Sequence, residues 1–159
     1  ANNALGYSWA DQGKNLDKAR KMIQIALDDE PASAAYLDSM GWVEYKLGNF
    51  DEAIKWLERS RVEEGGDHPV ILDHLGDALY RAGRQIDALE MWHRAQGKIV
   101  EEELETDPEL KAVEASLKAK VGAMRTAKEP PVAKLGEKPK PEKEDGKIDD
   151  EKKPDLPKR

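Results

Sequence analysis

The sequence predicts an all-α fold made of repeated helical hairpins, followed by a charged tail. The first observation is a glycine that recurs at intervals of 35 residues, at Gly6, Gly41 and Gly76. The second is another glycine seven residues after each of these, followed by two small residues that are also seven apart. The third is an abrupt change of composition near residue 127. Repetition at this period is typical of stacked helical hairpins, each of which buries its apolar face against its neighbours.

Each unit is predicted to consist of a leading and a trailing helix. A glycine inside a helix costs about 1 kcal/mol relative to alanine, and a helix keeps it where a second helix passes close by. The glycines that end the leading helices are expected to adopt a left-handed cap conformation, and they are Gly13, Gly48 and Gly83. An aspartate near the start of each trailing helix favours that helix by capping or through its dipole; these residues are Asp17, Asp51 and Asp87.

The units are predicted to span residues 1–33, 34–68 and 69–105. Ser33 can cap the second unit, and Pro69 lies in the first turn of the third. The first unit lacks the first turn of its leading helix, so we expect its outer face to expose apolar surface that an upstream repeat would cover.

A capping helix is predicted over residues 107–125, with Thr106 or Asp107 as its N-cap. Apolar residues recur on one of its faces: Leu110, Val113, Leu117, Val121 and Met124. Polar side chains, Lys120 among them, are expected to cover the other faces. The helical body would thus occupy residues 1–126.

Residues 127–159 are predicted to be a disordered tail. They contain ten Lys or Arg, nine Asp or Glu, six of the nine prolines and no aromatic residue. Such a segment buries too little apolar surface to offset its loss of conformational entropy. Two alternatives remain open: a binding arm, or lysines that fold back onto the acidic body. Those lysines are Lys138, Lys140, Lys143, Lys152 and Lys153.

The repeats resemble those of the tetratricopeptide repeat (TPR) family, whose unit is about 34 residues long. The second unit carries the resemblance in Leu37, Met40, Gly41, Gly48, Phe50, Ala53, Leu57 and Ser60, and the first and third units align with it. The resemblance implies a right-handed α-α superhelix, a TPR solenoid, similar to the C-terminal repeats of larger bacterial TPR proteins. Glu44 departs from the pattern, because the family often has tyrosine there.

Composition narrows the classes of partner. The net charge of −7 argues against binding nucleic acid through its phosphates. No apolar run is long enough to span a membrane, and the absence of cysteine excludes disulfides and thiolate chemistry. The compartment stays open, as a soluble protein of the bacterial cytoplasm or periplasm.

No catalytic or metal site is predicted, and no cofactor. The histidines fall in different elements, so we expect His68, His74 and His93 to be isolated at the surface or at edges. Asp73 and Asp77 share a helix face, but we expect both to be solvated. The chain is therefore predicted not to be an enzyme.

A peptide-binding groove is expected on the concave side, which the leading helices line in this family. The resemblance places these residues there: Tyr7, Asp11, Asp38, Trp42, Tyr45, Lys46, Asp73, Asp77, Tyr80 and Arg81. Helical spacing independently puts Asp38, Trp42 and Tyr45 on one face, and aromatic side chains suit peptide anchoring. Trp42 could equally pack against the next unit, whereas Tyr80 is favoured as a groove residue.

The predicted function is non-catalytic: a scaffold or adaptor that binds a protein or peptide segment in this groove. Some TPR proteins bind a terminal carboxylate through a cationic clamp, but Asp38 and Asp73 stand where that clamp needs a cation. A basic or mixed apolar segment is therefore the expected ligand. The alternatives are a structural segment that self-associates or stacks on upstream repeats through the N-terminal face, and an accessory domain of a larger enzyme.

Overall fold

The computed structural model describes residues 2–137. Within this range the chain is helical, with no strand, which confirms the predicted all-α class. Seven α-helices are joined by short turns: α1 (Asn2–Asp11), α2 (Leu16–Asp29), α3 (Ala34–Leu47), α4 (Phe50–Val62), α5 (Pro69–Arg81), α6 (Gln85–Gly97) and α7 (Pro108–Arg125). A short 3₁₀ helix (Glu101–Glu103) precedes α7.

The helices form three stacked hairpins, α1–α2, α3–α4 and α5–α6, as the repeat spacing predicts. Each leading helix also packs against the next one, α1 on α3 and α3 on α5. The last helix, α7, packs on both α5 and α6 and so covers the C-terminal hairpin. The result is a helical-repeat superhelix with one continuous core.

The helical glycines stand where two helices nearly touch. A Cβ atom at Gly41 would lie 2.6 Å from Leu57 Cγ, and one at Gly76 would lie 2.3 Å from Trp92 Nε1. Leu57 and Trp92 are fully buried, so they are core residues of the trailing helices. The predicted left-handed caps are also confirmed, with φ values of 68° at Gly13, 86° at Gly48 and 82° at Gly83.

Most of the predicted helix starts are confirmed. The aspartates lie in the first turns of α2, α4 and α6, where the helix dipole favours a negative charge. Asp107 Oδ1 accepts a hydrogen bond from the Leu110 amide at 3.0 Å, and Pro69 begins α5. Ser33 precedes α3 without a side-chain cap bond.

The N-terminal hairpin leaves two large apolar side chains in contact with solvent. Leu5 of α1 is 42% exposed and Ile25 of α2 is 57% exposed. Exposed apolar side chains are not confined to this unit, since Val62 is 70% and Ile86 is 84% exposed, so the apolar outer face of the first unit stays a prediction.

The core contains charged groups that the sequence patterns placed at the surface. Lys120 of α7 is buried, and its Nζ lies 2.7 Å from an oxygen of Asp73 and 2.7 Å from one of Asp77, which are buried too. The expectation that the aspartates are solvated and that Lys120 faces outward was therefore wrong. The two carboxylates and the ammonium compensate one another's loss of hydration.

His74 is likewise buried rather than isolated at the surface or an edge. Its Nδ1 lies 2.8 Å from Asp38 Oδ1. The prediction for this histidine was wrong, because a residue from the neighbouring leading helix supplies its partner.

Residues 130–137 lie along the helical body, whereas composition predicted disorder from residue 127 onward. Pro130 is buried, and Val132 and Ala133 pack against the core. Main-chain hydrogen bonds to the body supply the ordering that the apolar content of this segment could not predict. We call residues 130–137 the strap. The five lysines expected to fold back, from Lys138 to Lys153, lie outside the described residues.

Candidate peptide-binding groove

The strap crosses the leading helices near their C-terminal ends. It starts beyond α7, passes α5 and α3, and reaches the turn between α1 and α2. Three successive repeat units therefore contribute to one surface. We call this surface the groove and define it by Gly13, Tyr45, Lys46, Asp77 and Arg81.

At one end of the groove, three side chains hold the main chain of Ala133. Its amide donates to Asp77 Oδ2 at 2.9 Å. Its carbonyl accepts from the Tyr45 hydroxyl at 2.6 Å and from Arg81 Nη2 at 3.1 Å. Arg81 Nε also donates to the Tyr45 hydroxyl at 3.3 Å. The groove thus supplies one acceptor and two donors to the main chain of a single residue.

At the other end, the body offers main-chain acceptors. The Gly136 amide donates to the Lys46 carbonyl at 2.8 Å, and the Glu137 amide donates to the Gly13 carbonyl at 2.8 Å. A Cβ at Gly136 would lie 2.6 Å from Leu16 Cδ1 and 3.0 Å from the Gly13 carbonyl oxygen. This end of the groove therefore admits a residue without a side chain.

Trp42 supports the groove from beneath. It is buried, with its ring stacked on Tyr45 at 4.7 Å and on His74 at 3.9 Å between centroids. Its indole N–H donates to Asp11 Oδ1 at 3.4 Å. Of the two interpretations of Trp42, the structure favours packing between units over an open anchor.

The orientation of the Asp77 carboxylate in the groove is fixed by buried groups of other helices. Lys120 Nζ and the Trp92 indole N–H (3.2 Å) both contact its Oδ1, which leaves Oδ2 for the Ala133 amide. Burial alone would lower the pKa of Lys120, but Asp77 and Asp73 raise it above its ordinary value. Burial and the nearby charge of Asp77 raise the pKa of Asp73, against the effect of Lys120.

Burial shifts the pKa values of two polar groups of the groove, Tyr45 and Lys46. Burial raises the pKa of Tyr45 to about 12, although its hydrogen bond with Arg81 acts in the opposite direction. The Tyr45 hydroxyl is therefore protonated near neutral pH and can donate a hydrogen bond to a carbonyl. Burial lowers the pKa of Lys46, and the charge of Asp11 partly offsets this effect. Lys46 Nζ donates to the Asp11 carbonyl at 3.2 Å.

A cleft of about 390 Å³ lies at the other ends of the leading helices. Tyr7, Asp38, Ile71 and Glu109 are among its lining residues. Burial, and then the charges of Asp38, Asp11 and Glu109, raise the pKa of Tyr7 well above its usual range. The cleft therefore presents an acidic, partly apolar surface.

The structure places the predicted groove residues in different roles. Tyr45, Asp77 and Arg81 bond the strap through side chains, and Lys46 does so through its carbonyl. Tyr7 and Asp38 line the cleft, and Asp11 and Trp42 support the surface. Asp73 binds Lys120, and Tyr80 is half-buried with its ring 6.0 Å from Trp92.

Sequence reasoning missed two buried groups and the strap itself. Lys120 and His74 gave no signal of their own, but Asp73 and Asp77, four residues apart on one helix, could have indicated a missing cation. Ala133 and Gly136 carried no pattern, since they act through main-chain atoms that every residue has.

The described residues show neither a metal site nor a membrane span. No cluster of three or more His, Asp or Glu in this range could hold a metal ion. None of the helices between residues 2 and 137 is both long and apolar enough to cross a bilayer.

Comparison with known proteins identifies the fold family. Residues 29–118 match the family described as the bacterial transcriptional activator domain, BTAD. A 75-residue stretch is 40% identical to the TPR repeat-containing protein PA4667 of Pseudomonas aeruginosa, covering 47% of this chain and 12% of that protein. The chain thus matches only a small part of the length of this relative. Because the BTAD match covers more than half of the sequence and the helices stack as repeated hairpins, the chain belongs to the bacterial transcriptional activator domain family of TPR-like helical repeats.

Proposed function

We propose that this chain is a protein-interaction module whose groove binds an extended segment of another protein. The observation that carries the proposal is the set of hydrogen bonds to Ala133. Asp77 accepts from its amide, and Tyr45 and Arg81 donate to its carbonyl. Two further main-chain bonds follow at Gly136 and Glu137. Such contacts recognise an extended backbone, as in the binding of peptides to sheet edges.

The charge around the groove favours a basic or mixed apolar ligand. Asp38 and Glu109 line the cleft at the N-terminal ends of the leading helices, together with the apolar side chains of Val70 and Ile71. A segment that runs from the groove along the leading helices to this cleft would place cationic or apolar side chains against matching groups.

Selection from a displayed peptide library tests this function. The full chain is the target, and enriched peptides are measured by fluorescence anisotropy against Tyr45→Phe, which removes the hydroxyl donor and keeps the stacked ring. Both proteins also carry Ala133→Pro, which removes the Ala133 amide donor to Asp77 and so loosens the strap. We expect Tyr45→Phe to weaken binding about five- to twelvefold, since one buried hydrogen bond contributes about 1–1.5 kcal/mol. Arg84→Ala, an exposed arginine that pairs with Asp87, is the control and should bind normally. Peptides whose affinity is unchanged by Tyr45→Phe would place the binding surface elsewhere.

The family match favours a second candidate, an interaction module that acts within transcription activation. Residues 29–118 match a domain described by that role, and the acidic charge of the chain favours protein contacts over direct DNA contacts. Tethering the chain to a promoter through a separate DNA-binding domain tests this role. Activation that Arg81→Ala abolishes would support it, and an unchanged reporter signal would contradict it.

The structural alternative concerns the outer face of the first unit. Leu5 and Ile25 of the first hairpin are exposed, and an apolar outer face of this hairpin would pair with a second copy or with another repeat. Sedimentation across a hundredfold concentration range separates the two functions: a rising mass that Ile25→Lys abolishes would favour self-association, and a constant monomer mass would favour the groove.

A further inference from the structure

We infer that the strap is a built-in competitor for the groove, which an external ligand must displace. The inference rests on the proposed function, because a competitor needs a binding site to block. The strap occupies the groove along its whole length, from the Asp77 carboxylate to the Gly13 carbonyl. A partner that uses the same donors and acceptors cannot bind while the strap is in place.

The turn after α7 directs the chain into the groove. Ala127 adopts a left-handed conformation, with φ 53°. The Lys128 amide donates to the Ala123 carbonyl at 2.9 Å, and the Ala127 amide donates to the Met124 carbonyl at 3.3 Å. These two bonds form the helix-ending motif that usually contains glycine. The reversal is therefore part of the folded structure, and the strap starts close to its binding site.

The side-chain contacts of the strap are apolar, with Pro130 buried and Val132 and Ala133 packed against the core. Lys134 and Leu135 are exposed, whereas Val132, Ala133 and Gly136 are partly buried. Its most restrictive feature is the tight fit at Gly136, three residues after the residue held by Asp77 and Tyr45. We therefore infer that the displacing partner is an extended segment with a glycine at this spacing.

Because its connection to α7 is short, the strap competes for the groove even if the isolated segment binds weakly. A segment tethered through a short connection has an effective concentration on the order of millimolar. If the free segment binds with a dissociation constant on the order of 0.1 mM, the groove is open roughly one tenth of the time. An external ligand would then bind about tenfold more weakly than to an open groove.

The test measures binding of a labelled peptide with the sequence of residues 128–137 to four versions of the full chain. These are the wild type, Ala133→Pro combined with Gly136→Val, a version in which the order of residues 130–137 is shuffled, and Lys134→Val. The double variant removes the Ala133 amide that donates a hydrogen bond to Asp77. It also adds a side chain at position 136, where a Cβ would meet Leu16 and Gly13. Lys134→Val is the matched control, because the Lys134 side chain is exposed. Circular dichroism confirms that each version is helical.

We expect the peptide to bind the double and shuffled variants about tenfold more tightly than the wild type and Lys134→Val. Equal affinity for all four proteins would overturn the inference and leave the groove function intact. The same conclusion follows if library-selected peptides bind all four equally and the strap peptide binds none. If neither the strap peptide nor the library-selected peptides bind the double and shuffled variants, both the groove function and the inference fail.

Discussion

Asp77 links the stability of the core to the binding surface. One of its oxygens contacts Lys120 and Trp92, and the other accepts the Ala133 amide. Because Lys120 is buried between Asp73 and Asp77, it neutralises charge that would otherwise repel within the core. The orientation of the groove acceptor therefore depends on a lysine of a different helix.

Replacing Lys120 with methionine should destabilise the fold strongly. Lys120→Met keeps the length of the side chain but leaves two buried carboxylates without a cation, at a cost of about 3–5 kcal/mol in the free energy of unfolding. Lys118→Met is the control, since Lys118 lies on the same helix, 67% exposed and paired with Glu114, and should cost less than about 1 kcal/mol. Urea denaturation measures both. Equal losses would show that the buried ion pairs do not stabilise the fold.

His74 should make stability depend on pH. Burial alone would lower its pKa, but the charge and hydrogen bond of Asp38, together with Asp73 and Asp77, raise the pKa above the ordinary value of 6.5. A raised pKa in the folded state means that protonated His74 stabilises the fold. This contribution is complete below pH 6.5 and is lost as the pH rises through the raised value.

The expected result is a free energy of unfolding that falls as the pH rises above about 6.5. His74→Gln should remove this part of the dependence, whereas His93→Gln, at an exposed position, should preserve it. Denaturation curves recorded from pH 5.5 to 9 measure the effect. Identical pH profiles for the wild type and His74→Gln would contradict it.

Within the helices, some glycines lie where two helices pack closely and others lie at an open surface. A Cβ at Gly76 would meet the buried Trp92 ring of α6, whereas one at Gly122 of α7 would meet nothing within 4 Å. Gly76→Ala should therefore destabilise the protein by about 1–3 kcal/mol through overpacking. Gly122→Ala should stabilise it by up to about 1 kcal/mol, because alanine favours the helix. Thermal melts measure both shifts, and shifts of the same sign would disprove the assigned packing of α5 on α6.

The hairpins could be predicted because their determinants are local and repeat along the chain. Gly41 and Leu57 meet within one unit, and the same spacing brings Gly76 onto Trp92. The pairing of Lys120 with Asp73 joins residues 47 positions apart, and lysine is rarely buried. No periodic pattern in a single sequence reports such a partner. The family resemblance predicted Tyr45, Asp77 and Arg81 on the concave side, whereas their hydrogen bonds to Ala133 depend on a segment without periodicity.

Across the whole molecule, the strap joins the C-terminal end to the first two units. Repeat proteins open most easily from an end, because a terminal hairpin has one neighbour. Here the Glu137 amide bonds the Gly13 carbonyl in the first hairpin, and the Gly136 amide bonds Lys46 in the second. These bonds should oppose local opening of α1 and α2.

Hydrogen exchange can isolate this effect. Gly136→Val adds a side chain that would meet Leu16 and the Gly13 backbone, so it should detach the strap from the first hairpin and accelerate amide exchange in α1 and α2. Exchange in α5 and α6 should change little, because the core around Trp92 does not involve Gly136. Lys134→Val should exchange like the wild type. Equal acceleration in all helices would mean that the strap stabilises the molecule globally, and unchanged exchange in α1 and α2 would mean that it does not stabilise the first hairpin.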